Sequence, residues 1–201
     1  MNPITRSEIL SLGDYEAIRP HFRARVIEEK KLRRVALGPH MSCVFENRDT
    51  VLMQIQEMLR TERITREGAV QHEIATYNQL IPGSGELSAT VMIEIDERVT
   101  REKFLTDAIG VERHIALVVN GERTNATWDP ERILPDRASA VLYLKFPLSE
   151  KSGRAIRDGA SSGQPPAIEL LADHPHYEAR TALAEPTKKS LAEDLETHAG
   201  S

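Results

Sequence analysis

Two segments between residues 47 and 85 show the hydrophobic spacing of amphipathic helices. The first follows Asn47, a candidate N-cap, and its apolar side chains recur at three- and four-residue intervals at Val51, Leu52, Ile55, Met58 and Leu59. In the second, the apolar side chains fall within a narrow arc at Val70, Ile74, Tyr77 and Ile81, which Pro82-Gly83-Ser84-Gly85 ends. Two such segments joined by a short connection predict a helical hairpin.

From residue 86 the apolar period changes from about 3.6 to about 2, which is typical of half-buried strands. One strand is predicted from the alternation of Leu87, Ala89, Val91, Ile93 and Ile95, and another from that of Ala140, Leu142, Leu144 and Phe146. Gly38-Pro39-His40 and Asn120-Gly121 have the composition of hairpin turns. The pattern therefore predicts an α+β fold with an antiparallel sheet of four or more strands.

The N-terminal region is predicted to be helical and to pack, with the helical hairpin, on one face of that sheet. A short helix is expected to end at Gly13. A further helix is predicted from an apolar stripe at Tyr15, Ile18, Phe22 and Val26. Pro20 interrupts this stripe and either kinks the helix or starts a new one.

The composition along the chain suggests three parts. Residues 1–148 are predicted to form a single α+β domain. Residues 149–166 are rich in Ser, Gly, Arg and Lys without periodicity, and we expect a mobile loop there. Residues 167–201 are predicted to be a C-terminal extension packed on the same domain, with a strand over Ala167–Leu171 and a helix over Pro186–Glu196.

The amino-acid composition and net charge make some classes of protein less favoured than others. The chain has 201 residues, of which 40% are hydrophobic and 28% charged, and its formal charge is −5. This size and composition suit a folded domain, and the negative net charge disfavours general nucleic-acid binding. No apolar run is long enough to cross a membrane. The first twelve residues lack the features of a secretory signal, and Cys43 has no partner for a disulfide within the chain. We expect a cytoplasmic protein.

Two common catalytic motifs are missing from the sequence. It contains no glycine-rich phosphate loop. His72-Glu73 begins like a zinc-protease helix, but Thr76 stands where the second histidine is required. Cys43 lies in a predicted strand, which indicates a buried, inert thiol. We therefore favour a non-catalytic protein and predict no cofactor and no metal.

Polar residues beside the helical hairpin form the first candidate site. Side chains at the margins of the two apolar faces can meet across a hairpin, next to the turn at residues 38–40. The candidate polar pocket consists of His40, Glu46, Arg48, Asp49, Glu73 and Asn78. The alternative is that these residues cap helices and make ordinary structural hydrogen bonds.

Histidines and basic residues form two further groups. His174 and His176, next to Asp173, have a spacing that permits metal binding, with His40, His72 and His114 also available; the alternative is that they are surface or turn histidines. Between residues 19 and 34, seven basic side chains against Glu28 and Glu29 give a local charge of 7 − 2 = +5: Arg19, Arg23, Arg25, Lys30, Lys31, Arg33 and Arg34. They are a candidate site for an anion or an acidic partner, or else a solvated helix face.

The chain resembles a bacterial family known as domain of unknown function 3501. The resemblance is carried by ITRSEILSLGDYEAIRPHFRARVIEEKKLRRVALGPHMSCVFENRDTVLMQIQEMLRTERI and HEIATYNQLIPGSGELSATVMIEI, and continues through GVERHIALVV and SAVLYLKFPL. Its members are often encoded beside rubrerythrin-like proteins and iron–sulphur oxidoreductases, which implies a role near peroxide defence or electron transfer. With one cysteine the chain cannot hold a conventional cluster, so such a role would be accessory.

Three functional hypotheses follow. The favoured one is a non-catalytic accessory or partner protein of a redox system, binding an iron–sulphur oxidoreductase or a rubrerythrin-like protein. The alternative is a small-molecule- or metal-binding enzyme with a polar pocket around residues 46–49 and the helix at 65–81. The third and least favoured is nucleic-acid binding through the basic segment. Homo-oligomerisation is left open.

Overall fold

The computed structural model describes Met1–Glu196, within which the chain forms six α-helices and eight β-strands. In chain order they are α1 (Leu12–Arg33), β1 (Arg34–Leu37), β2 (Met41–Glu46), α2 (Arg48–Thr61), α3 (Glu67–Asn78), β3 (Glu86–Ile93), α4 (Arg98–Asp107), β4 (Ile115–Val119), β5 (Glu122–Asn125), β6 (Val141–Pro147), α5 (Glu150–Ser162), β7 (Ile168–His174), β8 (Tyr177–Ala182) and α6 (Glu185–Glu196). Short 3₁₀ helices lie at Arg6–Glu8, Val111–His114 and Pro130–Arg132. None of the helices in this part of the chain is long and apolar enough to cross a membrane.

The α+β class predicted from the sequence is confirmed, but the strands form two sheets rather than one. The first sheet has the order β1-β2-β3-β6 and the second the order β5-β4-β7-β8, with every pairing antiparallel. Buried side chains from both sheets belong to a single hydrophobic cluster, so the sheets enclose one shared core. Alternation identified the inward face correctly, because Leu87, Val91 and Phe146 all lie in this core.

Edge contacts join the two sheets to each other. On one side, Thr127 and Lys145 exchange backbone hydrogen bonds of 2.7 and 2.9 Å between the end of β5 and β6. On the other, Thr181 of β8 donates to the carbonyl oxygen of Ala36 in β1 at 2.7 Å. Each sheet thus protects edge strands of the other, which would otherwise offer unpaired backbone groups.

Tyr177 anchors the predicted hairpin at residues 38–40 to the second sheet. Its hydroxyl donates to the carbonyl oxygen of Leu37 at 2.5 Å and accepts from the backbone N–H of His40 at 3.1 Å. Gly38 has a φ of +69°, and a Cβ there would lie 2.5 Å from the Tyr177 oxygen. A glycine is therefore required in this turn. The Asn120-Gly121 hairpin also forms, with both residues at positive φ.

The predicted helical hairpin forms as α2 and α3 and builds a second core. Asn47 caps α2, its side chain accepting from the backbone N–H of Thr50 at 3.0 Å. The apolar faces of the two helices pack together with Ile4 and Ile9 from the N-terminus, and Tyr143 of β6 packs against them. The outward faces of β2 and β3 are buried as well, so the first sheet is covered on both sides.

The N-terminal region differs from the prediction. Only one 3₁₀ turn forms before residue 12, and Gly13 lies inside α1 rather than ending a helix. Ser11 is the N-cap, accepting from the backbone N–H of Asp14 at 3.2 Å. α1 then runs through Pro20 as one helix of 22 residues, so the glycine and the proline do not divide it.

Residues 149–166 are not a loop: most of them form α5. Ser149 caps this helix, accepting from the backbone N–H of Ser152 at 3.1 Å, and Gly163 ends it at a φ of +70°. Its buried positions are Ser152, Gly153, Ile156 and Gly159, which recur with helical spacing but are mostly small. The prediction missed the helix because it relied on large apolar side chains. The predicted final strand and helix correspond to β7 and α6; β8 is additional, and residues 197–201 of the extension lie outside the described part.

Candidate functional site

Two of the six predicted pocket residues make hydrogen bonds that hold parts of the fold together. The Glu46 carboxylate is 3% exposed and accepts from the hydroxyls of Thr50 and Thr90, the latter at 2.6 Å. The Asn78 amide accepts from the backbone N–H of Ile4 at 2.8 Å and donates to its carbonyl oxygen at 2.9 Å. Asn78 thus holds the N-terminal segment against α3.

The other four residues have separate surroundings. Arg48 pairs with Glu8, and this hydrogen bond lowers the pKa of Glu8 to about 2. Asp49 pairs with Arg25 at 2.5 Å. The ring of His40 lies beside Phe104 and Tyr177, and Glu73 is half-buried on α3. Across Met1–Glu196, no hydrogen bond or ion pair joins any two of the six, so they do not form the predicted network.

The basic segment lies on α1 and the start of β1, and most of its charges are paired within the chain. Ion pairs join Arg19 to Glu57, Arg25 to Asp49, Lys31 to Glu28 and Arg34 to Glu94. In the described residues Arg23 and Lys30 make no ion pair. Lys30, Lys31 and Arg34 line an open hollow of about 660 Å³.

Arg33, the seventh basic residue, is buried rather than available to a partner. It is 2% exposed, and two of its guanidinium nitrogens each donate to one oxygen of the Asp194 carboxylate at 2.7 Å. Asp194 is 3% exposed and lies on α6, so the pair ties the first helix to the last. Such a two-point, charge-assisted contact fixes both position and orientation.

The histidines near residue 174 cluster, but without a metal-binding arrangement. The ring centroids of His114 and His174 are 5.0 Å apart, and those of His174 and His176 are 5.8 Å apart. Asp173 is held by Arg123 at 2.5 Å, which lowers the pKa of its carboxyl. No set of three or more potential ligands able to hold a metal ion occurs within residues 1–196. Cys43 is buried, and burial raises the pKa of its thiol.

His174 is expected to make the folding stability depend on pH. Its Nδ1 accepts from the backbone N–H of His176 at 3.2 Å, so the proton is on Nε2, which lies 3.1 Å from the carbonyl oxygen of Ile109. Burial is the main cause that lowers the pKa of His174 from its ordinary value of 6.5, and electrostatic repulsion by the neighbouring histidines lowers it further. The unfolded chain therefore binds this proton more readily than the folded one. The resulting stability is complete above pH 6.5 and is lost as the pH falls.

Urea unfolding at pH 7.5 and 5.5 tests this expectation. The wild type should lose more unfolding free energy between the two values than His174→Gln does. His72→Gln, at an exposed histidine of α3, should retain the wild-type loss. Equal losses in the wild type and His174→Gln would contradict the assignment.

A cleft between the two hydrophobic cores is the best candidate for a binding site. Two adjoining cavities of about 250 and 300 Å³ share five lining residues, Trp128, Asp129, Arg132, Tyr143 and Leu144, and we call them together the Trp128 cleft. Trp128 packs on the core between the sheets and Tyr143 on the helical-hairpin core. The walls are thus held by both cores, while the segment between β5 and β6 covers the cleft.

Arg132 spans the cleft between this segment and α3. Its guanidinium lies 5.0 Å from the ring centroid of Tyr143, donates to Gln79 Oε1 at 3.1 Å and pairs with Asp129 at 3.6 Å. Asp129 in turn caps the short helix that carries Arg132. Lys145, on the wall of the smaller cavity, pairs with Glu86 at 2.5 Å. Both cations of the cleft therefore have partners.

Glu112, on the wall of the larger cavity, is the exception. It is 2% exposed, and its Oε1 accepts no hydrogen bond from any described residue. The nearest cation is Arg113, whose Nε lies 3.7 Å from Oε1, beyond hydrogen-bond distance. A buried carboxylate oxygen without a donor is costly to fold, and such groups concentrate at functional sites.

Sequence reasoning missed Glu112, Trp128, Arg132 and Tyr143. Trp128 is the chain's single tryptophan, which was a usable signal, since aromatic residues of this size are frequent in ligand sites. Glu112 carried no signal, because it stands in a short turn before β4 and its surroundings come from distant segments. The predicted helix 65–81 does border the cleft, through Thr76 and Gln79.

Comparisons with known proteins agree with the resemblance noted in the sequence. The sequence profile of a protein of unknown function, DUF3501, matches residues 3–195. The chain belongs to the DUF3501 family. It is also similar to a crystal structure of a novel protein of unknown function from Burkholderia pseudomallei K96243, with 32% sequence identity and a TM-score of 0.88 over 96% of this chain and 100% of the other. The search of curated proteins found no match. Family membership thus supports the fold across the whole described chain and assigns no reaction.

Proposed function

We propose that this DUF3501 protein binds a small organic molecule in the Trp128 cleft. The observation that carries the proposal is the buried Glu112 carboxylate, whose Oε1 has no hydrogen-bond donor at the wall of an aromatic-lined cavity. Pockets of this kind, apolar with a few placed polar groups, are typical of small-molecule sites.

A second cavity, of about 480 Å³ between α5 and α6, is a weaker candidate although it is larger than either of the two cavities of the Trp128 cleft. Its walls are formed mainly by proline and glycine residues and by Ile156, with Glu185, Lys188 and Lys189 at its border. Lys188 and Glu185 pair with each other at 2.7 Å. No unpartnered buried polar atom lies among its described lining residues. The chemical argument for a specific binding site is therefore stronger for the Trp128 cleft.

Fluorescence of the single tryptophan tests the proposal directly. Titration with a library of small amines, carboxylates and neutral aromatic molecules is expected to change Trp128 emission for a subset, and the same molecules should raise the melting temperature. Arg132→Ala should weaken this binding, whereas Arg137→Ala, an exposed arginine of the same segment, should leave it unchanged. Equal effects of the two substitutions, or no response to any library member, would contradict a site in the cleft.

We also propose, as a second function, the accessory role that the family resemblance implies. The supporting observation is that Arg23 and Lys30, both on α1, make no ion pair within the described chain, and that Lys30 lines the open hollow together with Lys31 and Arg34. An acidic surface of an iron–sulphur oxidoreductase or a rubrerythrin-like protein would complement them.

Co-purification from the native source in low salt tests the accessory role. The wild type is expected to bring down one of these two proteins, and Arg23→Glu/Lys30→Glu should lose it. A charge reversal on the opposite end of the chain, Lys189→Glu, is the control. If neither redox protein is recovered with the wild type, the accessory role is wrong.

A further inference from the structure

We infer that the molecule bound in the Trp128 cleft is an organic cation, a small amine whose ammonium group is bound by Glu112. The inference rests on the proposed binding function and specifies the ligand's chemistry. It starts from the charges that line the cleft, which are two carboxylates and two cations: Asp129 and Glu112, Arg132 and Lys145.

Pairing leaves one of these four charges with little compensation. Arg132 has Asp129 and Gln79, and Lys145 has Glu86. Glu112 has only Arg113, at 3.7 Å, and that arginine side chain is 69% exposed to solvent. An incoming anion would meet cations that are already neutralised and a carboxylate that repels it. An incoming ammonium group would supply the hydrogen-bond donors that Glu112 lacks.

The walls around Glu112 suit a cation that carries apolar groups. Trp128 and Tyr143 line the same cavity, and aromatic faces attract ammonium and guanidinium groups. The position of the Arg132 guanidinium over the Tyr143 ring shows this attraction within the chain itself. Ile133, Val141 and Leu142 supply apolar surface. With a volume of about 300 Å³, at the low end for ligand pockets, the cavity fits a small aryl or alkyl amine.

Three probes of similar size and different charge test the inference. They are phenethylamine, 2-phenylethanol and phenylacetate, measured by Trp128 fluorescence and by calorimetry on the full chain. Phenethylamine is expected to bind at least tenfold more tightly than the other two. Glu112→Gln should weaken phenethylamine at least tenfold, while Glu131→Gln, an exposed glutamate next to Arg132, should change its affinity less than twofold.

The possible outcomes distinguish a failure of the cation inference from a failure of the proposed binding site. If phenylacetate or 2-phenylethanol binds as tightly as phenethylamine, or if Glu112→Gln binds phenethylamine as the wild type does, the cation inference is wrong and the cleft remains a binding site. If none of the three binds, the cation inference is also wrong, and the response to the wider library then decides the proposed function independently. Circular dichroism and thermal unfolding of Glu112→Gln verify that the variant is folded.

Discussion

Replacing Arg33 by methionine is expected to lower the free energy of unfolding by about 3–5 kcal/mol. The substitution leaves the Asp194 carboxylate buried without the guanidinium that donates to both of its oxygens. At 3% exposure, the carboxylate gains little solvation by water in place of the lost guanidinium. For a chain of this size, the loss corresponds to a melting temperature lower by about 2–4 °C per kcal/mol, measured by thermal or urea unfolding.

The adjacent arginine provides a matched control. Arg34 is half exposed and lies 3.4 Å from Glu94, so Arg34→Gln is expected to cost less than about 1 kcal/mol. The double variant Arg33→Met/Asp194→Leu should recover much of the loss, because it removes both buried charges together. If Arg33→Met costs no more than Arg34→Gln, the pair does not hold α1 against α6.

Replacing Glu112 by glutamine is expected to raise the free energy of unfolding by about 1–2 kcal/mol, even though it weakens ligand binding. The substitution keeps the shape of the side chain and removes a charge whose Oε1 accepts no hydrogen bond from the described residues. A gain in stability together with a loss of binding is the usual mark of a residue retained for function. Urea unfolding without added amine measures the first effect.

Glu46 is the control for this prediction, because it is a second buried glutamate and its role is structural. Glu46 is 3% exposed and Glu112 2%, but Glu46 accepts hydrogen bonds from two threonine hydroxyls. Glu46→Gln is therefore expected to lower the free energy of unfolding by about 1–2 kcal/mol. If Glu112→Gln is destabilising to the same degree, Glu112 serves the fold through Arg113 and the binding proposal loses its main support.

The elements predicted correctly are those defined by short stretches of sequence. The α2–α3 hairpin followed from apolar spacing and from the cap at Asn47, and the inward faces of β3 and β6 followed from alternation. The elements that were missed lack large apolar residues at regular positions. The described positions of α5 bury mostly serine and glycine, and Tyr177 is the only large apolar side chain of β8.

The residues of the predicted polar pocket do not meet, because the position of a side chain at the margin of an apolar helix face does not specify which side chains lie next to it. Glu46 and Asn78 make hydrogen bonds to other parts of the fold, so their role is structural. Glu112 and Trp128 are sixteen positions apart, on either side of a hairpin, and neither stands in a periodic segment. Only the pairing of the strands brings them to the same cleft.

The sequence by itself determined the α+β class, the family and most of the local elements, since caps, turns and hydrophobic periods act between residues a few positions apart. The tertiary structure alone decided that the strands form two sheets around one core and that Arg33 meets Asp194 across 161 positions. It also decided that one oxygen of the buried Glu112 carboxylate accepts no hydrogen bond within residues 1–196. The physical reason is that burial and charge pairing depend on distant segments that close around a residue, and these contacts leave no mark on the residue's own neighbours in sequence.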